Sequence, residues 1–152
     1  MKKKLYKSLN QDQISKLIKI NYPFQMVDKI IKLKPSKYGI GVKNIKKNDW
    51  FFKCHLINQP LMPGTLQVEA MLQTIVCVVY ANDNKNNNNF LITKSSANFF
   101  RKINSAGKLE IEVKILYLNK GILEAKATVK FKKNITSEGK FKFIDKMFFK
   151  KK

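Results

Sequence analysis

Residues 51–73 read FFKCHLINQPLMPGTLQVEAMLQ and hold the chain's single histidine, His55, and a glutamate, Glu69, with Pro60, Pro63 and Gly64 between them. Imidazole titrates near neutrality and is the commonest general base. The neighbours of Glu69 are Leu66, Val68, Ala70, Met71 and Leu72. An unpaired carboxylate in such surroundings is costly, so a glutamate here must be paired, protonated or facing a cavity. A carboxyl set in an apolar wall resists ionisation, which suits a general acid. Pro63-Gly64 marks the start of a helix. The N–H groups of Gly64 and Thr65 then become oriented donors for a ligand oxygen. Base, acid and donors together make a kit for removing a proton beside a carbonyl. The same residue types also fit a hydrogen-bonded structural histidine and a glutamate that reaches solvent, and spacing does not choose between the two.

Several elements must hold these groups. SLNQDQISKLIKI (8–20) predicts a short amphipathic helix with Leu9, Ile14, Leu17 and Ile18 at helical spacing, capped by Ser8 or Asn10. The NYPF segment (21–24) ends it, because proline disfavours helix in the residue before it. MVDKIIKLK and YGIGVKNIKK read as strands joined through PSKYG. The stretch up to Gly64 is loop-like, and Thr65 to about Ala81 reads as one helix apolar on nearly every face, hence buried. NDNKNNNN (82–89) ends it as a solvated connection. FLITKSSANFF, KLEIEVKILYL, ILEAKATVKFKK and GKFKFIDKMFF have strand character, with Asn119-Lys120-Gly121 as a hairpin turn. The expectation is a single α+β domain over 1–152, in which five or six antiparallel strands curl around one long central helix. That helix is too apolar for one small sheet to cover, which predicts a homodimer or a larger even-numbered oligomer.

A chain of 152 residues with 44% hydrophobic content fits one globular domain. Cys54 and Cys77 are too few for a disulfide framework and read as reduced thiols. The lysine-rich start has no apolar stretch behind it. The longest apolar run, near 66–80, falls short of the ~20 residues of a membrane span and contains Gln67, Glu69, Gln73 and Thr74. The expectation is a soluble cytoplasmic protein with no membrane partner. The net charge of +21 is almost all lysine, spread along the chain, with Arg101 the sole arginine. Arginine is the better reader of bases and phosphates, so a nucleic-acid partner is not expected. Lysine and asparagine codons are both A/T-rich, so genome composition alone accounts for the excess. An acidic protein partner is what such a field would attract.

Two motifs carry a family resemblance. Tyr22-Pro23-Phe24-Gln25-Met26-Val27-Asp28 is followed by Phe51-Phe52-Lys53-Cys54-His55, Pro60-Leu61-Met62-Pro63-Gly64 and Val68-Glu69-Ala70-Met71-Leu72-Gln73. In order and gap length they resemble the FabZ-type 3-hydroxyacyl-acyl-carrier-protein dehydratases. SSANFFRKINSAGKLEIEV resembles that family's later strand-turn-strand. The resemblance implies a hotdog fold and an active site shared across a dimer. It implies that His55 takes the α-proton of a 3-hydroxyacyl thioester while Glu69 of the other subunit protonates the departing β-hydroxyl. Gly64, with Thr65 beside it, would bind the thioester carbonyl. The substrate would arrive on the phosphopantetheine arm of an acyl carrier protein, with no metal or cofactor. A glutamate where related dehydratase–isomerases carry aspartate implies dehydration without isomerisation. The chain departs from the pattern at Cys54, at Leu56-Ile57-Asn58-Gln59 and at Thr65. Two other readings of the fold are a hotdog thioesterase, which would not need His55 at this position, and a non-catalytic acyl-binding hotdog protein.

Overall fold

The computed structural model describes residues 7–82 and 89–148. Along the chain the elements are β1 (Lys7–Leu9), α1 (Gln11–Ile18), β2 (Lys29–Lys34), β3 (Tyr38–Ile45), α2 (Trp50–Cys54), α3 (Gly64–Tyr80), β4 (Phe90–Phe99), β5 (Gly107–Asn119), β6 (Ile122–Phe131) and β7 (Asn134–Asp145), followed by a 3₁₀ turn. The strands form one antiparallel sheet in the order β1-β2-β3-β5-β6-β7-β4. The sheet curls around α3, which is the hotdog arrangement. No helix is long and apolar enough to cross a membrane among the described residues.

The described sheet has seven strands rather than five or six. The additional one is β1, whose residues fall partly in the segment read as helix from Ser8. Asn10 explains the boundary. Its side chain accepts the Gln13 N–H, and the Gln13 side chain accepts the Asn10 N–H, each at 2.9 Å. This reciprocal cap fixes the first turn at Gln11. Residues 7–9 are left to pair with β2, with Leu9 opposite Ile30. Most of the asparagine-rich connection (83–88) lies outside the described residues.

The core is one cluster in which α3 buries Ala70, Met71, Ile75, Cys77 and Val78 against Ile111, Val113, Leu123, Val129 and Phe141 of the sheet. Two glycines of β3 allow this approach. A Cβ at Gly39 would lie 2.7 Å from Val78, and one at Gly41 would overlap the Thr74 side chain. Burial pushes the Cys77 thiol up to about 12, so it packs as a small hydrophobe. The opposite side of α3 is less covered. Val68, Leu72, Val76 and Val79 form a half-buried stripe along it.

Asp28 of the first motif is a structural residue. Its carboxylate accepts the Asn44 N–H at 2.7 Å and pairs with Lys43 at 3.0 Å, which locks the start of β2 onto β3.

Candidate active site

Glu69 sits in the second turn of α3, on the half-buried side, and lines an open, mostly apolar cavity of about 200 Å³ with Ile18, Ile20, Leu72, Val76, Phe90 and Phe143. One helical turn later, the Gln73 amide fixes the carboxylate. Its Nε2 donates to Glu69 Oε1 at 2.8 Å and to the Phe24 carbonyl at 2.9 Å. Its own Oε1 accepts the Met26 N–H at 2.7 Å. Gln73 is 2% exposed, so this four-residue spacing on one helix face ties the Glu69 carboxylate to the YPFQM segment. The role of Gln73 was missed by sequence reasoning. Its signal was its place four residues after Glu69 in a run where a buried amide has no apolar reason to be.

His55 ends α2. The stretch before Gly64 is therefore not all loop, because Phe51, 1% exposed, anchors a helical turn in the core. The His55 N–H donates to the Phe51 carbonyl at 3.0 Å, closing that turn. The ring is half-buried, and Nδ1 lies 3.0 Å from the Leu61 carbonyl oxygen. A carbonyl only accepts, so Nδ1 carries the hydrogen and the neutral ring offers its lone pair at Nε2. Trp50 Nε1 donates to the Pro23 carbonyl at 3.2 Å, so α2 is tied to the same segment that holds Gln73. Beyond His55 the departures from the motif leave Leu56 in left-handed backbone (φ 50°) and Ile57 80% exposed. Within one chain His55 is not among the residues that line the Glu69 cavity.

Pro63 caps α3, one position before the first turn expected for it, and Gly64 is the first helical residue. The Leu66 and Gln67 N–H groups both turn back to the Pro63 carbonyl, at 3.1 and 3.3 Å. The N–H groups of Gly64 and Thr65 therefore precede the helical ladder, the geometry of a donor pair. A Cβ at position 64 would come 2.8 Å from the Phe99 ring, so glycine lets that ring cover the helix start. Met62 N–H to Ile103 oxygen, at 2.8 Å, holds the approach to the helix. Gln67 clamps its first turns by accepting from Ser137 at 2.8 Å and Thr136 at 3.3 Å. A larger open depression of about 500 Å³ lies on charged strand residues such as Lys114, Lys126 and Lys140, and holds neither His55 nor Glu69.

A family model described as a FabA-like domain matches residues 19–141. The chain is 33% identical over 136 residues to the 3-hydroxyacyl-acyl-carrier-protein dehydratase FabZ of Ruminiclostridium cellulolyticum, covering 89% of this chain and 96% of that protein. It is 35% identical to the FabZ of Clostridioides difficile with the same coverage of both chains. The chain belongs to the FabZ-type branch of the FabA-like family. Solved structures agree with the fold of that family. Cj0977, a sigma28-regulated virulence protein from Campylobacter jejuni, superposes with a TM-score of 0.63 at 17% identity, over 84% of this chain and 88% of that one. A hypothetical thioesterase with coenzyme A from Streptococcus pneumoniae gives 0.59 at 10% identity, over 76% and 83%.

Proposed function

We propose that this FabZ-type chain is a 3-hydroxyacyl-acyl-carrier-protein dehydratase, with His55 of one subunit and Glu69 of its partner copy as base and acid. The observation that carries this reading is the Glu69 carboxylate, held by Gln73 at the wall of an otherwise apolar cavity. His55 Nε2 takes the proton from C2 of the thioester. The electron pair released forms the C2–C3 double bond, and the C3 hydroxyl departs with a proton from Glu69 as water. The Gly64 N–H, with Thr65 beside it, polarises the thioester carbonyl as negative charge develops there. The acyl tail lies in the cavity, and the carrier protein's phosphopantetheine arm brings it in. Relatives bearing the dehydratase name over almost their full length support the substrate class.

Sharing of the site between copies has its own support. β4 is a ten-residue strand at the sheet's edge, with Leu91, Ile92 and Phe99 each exposed. Such an edge is a template for pairing with another chain. It lies beside the uncovered stripe of α3, so one partner copy covers both.

Mass analysis of 3-hydroxyacyl carrier protein after incubation tests the reading. The expected product is the enoyl carrier protein, lighter by one water. Release of free fatty acid would instead make the chain a thioesterase. An unchanged substrate that nevertheless binds would make it an acyl-binding protein without chemistry.

A further inference from the structure

Pro63 gives α3 no side-chain cap, since proline has no polar side-chain group to offer. The first turn is instead anchored from the side, by Gln67, three residues after Gly64. Gln67 is 3% exposed, and its Oε1 accepts from the Ser137 hydroxyl at 2.8 Å. The Thr136 hydroxyl stands 3.3 Å from the same oxygen and 3.3 Å from the Val129 carbonyl, so the two acceptors share its one hydrogen. Adjacent strand residues ordinarily point to opposite faces of a sheet. Here a β-bulge turns both hydroxyls inward. Ser137 lies opposite Val129 and Ile135 opposite Lys130, which leaves Thr136 as one extra residue on β7. Thr136 and Ser137 are accordingly both buried, and alternation resumes from Glu138. The same bulge serves Gly64 from another direction. The Thr136 carbonyl accepts the Phe100 N–H at 2.8 Å and the Arg101 N–H at 3.3 Å, and Phe99, opposite Ser137, lays its ring against Gly64.

Resting on the dehydratase reading, we propose that Gln67 is a positioning residue. Through Ser137 and Thr136 it fixes the first turn of α3, so that the Gly64 and Thr65 N–H groups meet the thioester oxygen as charge develops on it. An apolar side chain at position 67 would bury equally well, but it would leave the turn free to slide by a fraction of an ångström. A hydrogen bond sets distance and direction together. Donors to a developing oxyanion act only when aimed at the place it will occupy, and small misplacements far from the chemistry cost large factors in rate.

The test combines Ser137→Ala, Gln67→Met and the double variant, each assayed on 3-hydroxyacyl carrier protein well below its unfolding midpoint. Gln67→Met should lower kcat ~10-fold, and Ser137→Ala less, both with KM within about twofold of wild type. The double variant should be no slower than Gln67→Met, because both changes cut one connection. A second readout needs no turnover. It is the infrared carbonyl stretch of a bound saturated acyl pantetheine thioester, isotope-labelled at the carbonyl carbon. Aimed N–H donors lower this frequency in the wild type, and it should return toward its solution value in Gln67→Met and, in part, in Ser137→Ala. Ser137→Ala keeps the Thr136 hydroxyl beside Gln67, so it remains informative should Gln67→Met fail to fold. Variants that lose only stability, with kcat and the stretch unchanged, overturn the proposal. So do losses in kcat that multiply in the double variant. Should the wild type remove no water while the stretch is lowered and reverts in the variants, the positioning role stands and the dehydratase reading falls.

Discussion

Glu69 and His55 are held in opposite ways. Glu69 belongs to a seventeen-residue helix whose far side is core, and its carboxylate is gripped by an amide that is itself bonded twice to the backbone of residues 24–26. His55 ends a five-residue helix, held by one buried phenylalanine and one carbonyl, and the chain after it runs exposed through Leu56 and Ile57. The difference teaches where sequence change is tolerated. A departure at Gln73 or on the core face of α3 would disturb buried packing and the hold on Glu69. Departures after His55 alter only exposed backbone, provided the Leu61 carbonyl still meets Nδ1. The chain shows this division, with Glu69, Ala70 and Gln73 of the motif kept and the loop at 56–59 rewritten.

The largest effect expected is loss of the chemistry from either seat. His55→Ala and Glu69→Gln should each lower turnover at least ~10²-fold, the lower end of general acid–base contributions. Steady-state rates on 3-hydroxyacyl carrier protein check this, and near-normal turnover by either variant would break the pairing of the two residues. Next in size is Gln73→Leu, which frees the Glu69 carboxylate and leaves the Met26 N–H unsatisfied. It should cut kcat ~10-fold with KM little changed, and lower unfolding stability by ~1–3 kcal/mol. A fall in stability alone, with kcat intact, would show that Glu69 needs no positioning.

How far the sequence announced this architecture depends on what kind of signal each element carries. α3 was legible because its apolar run is long and ends at Pro-Gly on one side and an asparagine tract on the other. β5 and β6 were legible from alternation, and β7 only from Gly139 onward, since its first residues at 134–138 carry no strand pattern of their own. β1 was not, because Leu9 fits a helical stripe as well as a strand, and only the Asn10–Gln13 reciprocal cap decides. α2 was hidden for a related reason: WFFKC is too short to show a period, and Phe51 becomes an anchor only once the sheet exists. His55, Glu69, Gly64 and Thr65 were visible as residue types. The tautomer of His55 and the hold on Glu69 were not, since both depend on carbonyls and amides that the fold brings in from residues 24–26 and 61.

A smaller effect sharpens the comparison through charge. Lys53 lies two residues before His55, and Arg101 and Lys102 precede Ile103, whose carbonyl holds Met62 at the approach to α3. All three are exposed. If they steer an acidic carrier protein, kcat/KM should fall several-fold between low salt and physiological strength, where the screening length is ~8 Å. A pantetheine thioester without a carrier should show little change. Equal salt dependence for both would leave the charge without a role in recognition.

The smallest effect is in stability. Leu56 adopts a left-handed backbone that costs a branched residue ~1–2 kcal/mol, so Leu56→Gly should raise the unfolding free energy, read from denaturant unfolding, by up to about that amount, less the extra chain entropy of glycine. Turnover should stay within a few-fold of wild type, because the Nδ1 bond lies elsewhere. A variant that is both less stable and inactive would mean that the exposed loop holds His55 after all.

The central claim is that one active site draws His55 from one copy and Glu69 from the other. Mixing the His55→Ala and Glu69→Gln proteins, with subunit exchange verified by mass, tests it most directly. Half the dimers are then hybrids with one intact site of two, so activity should return to about a quarter of wild type. A mixture with verified hybrids that is no more active than its two components would contradict the shared site.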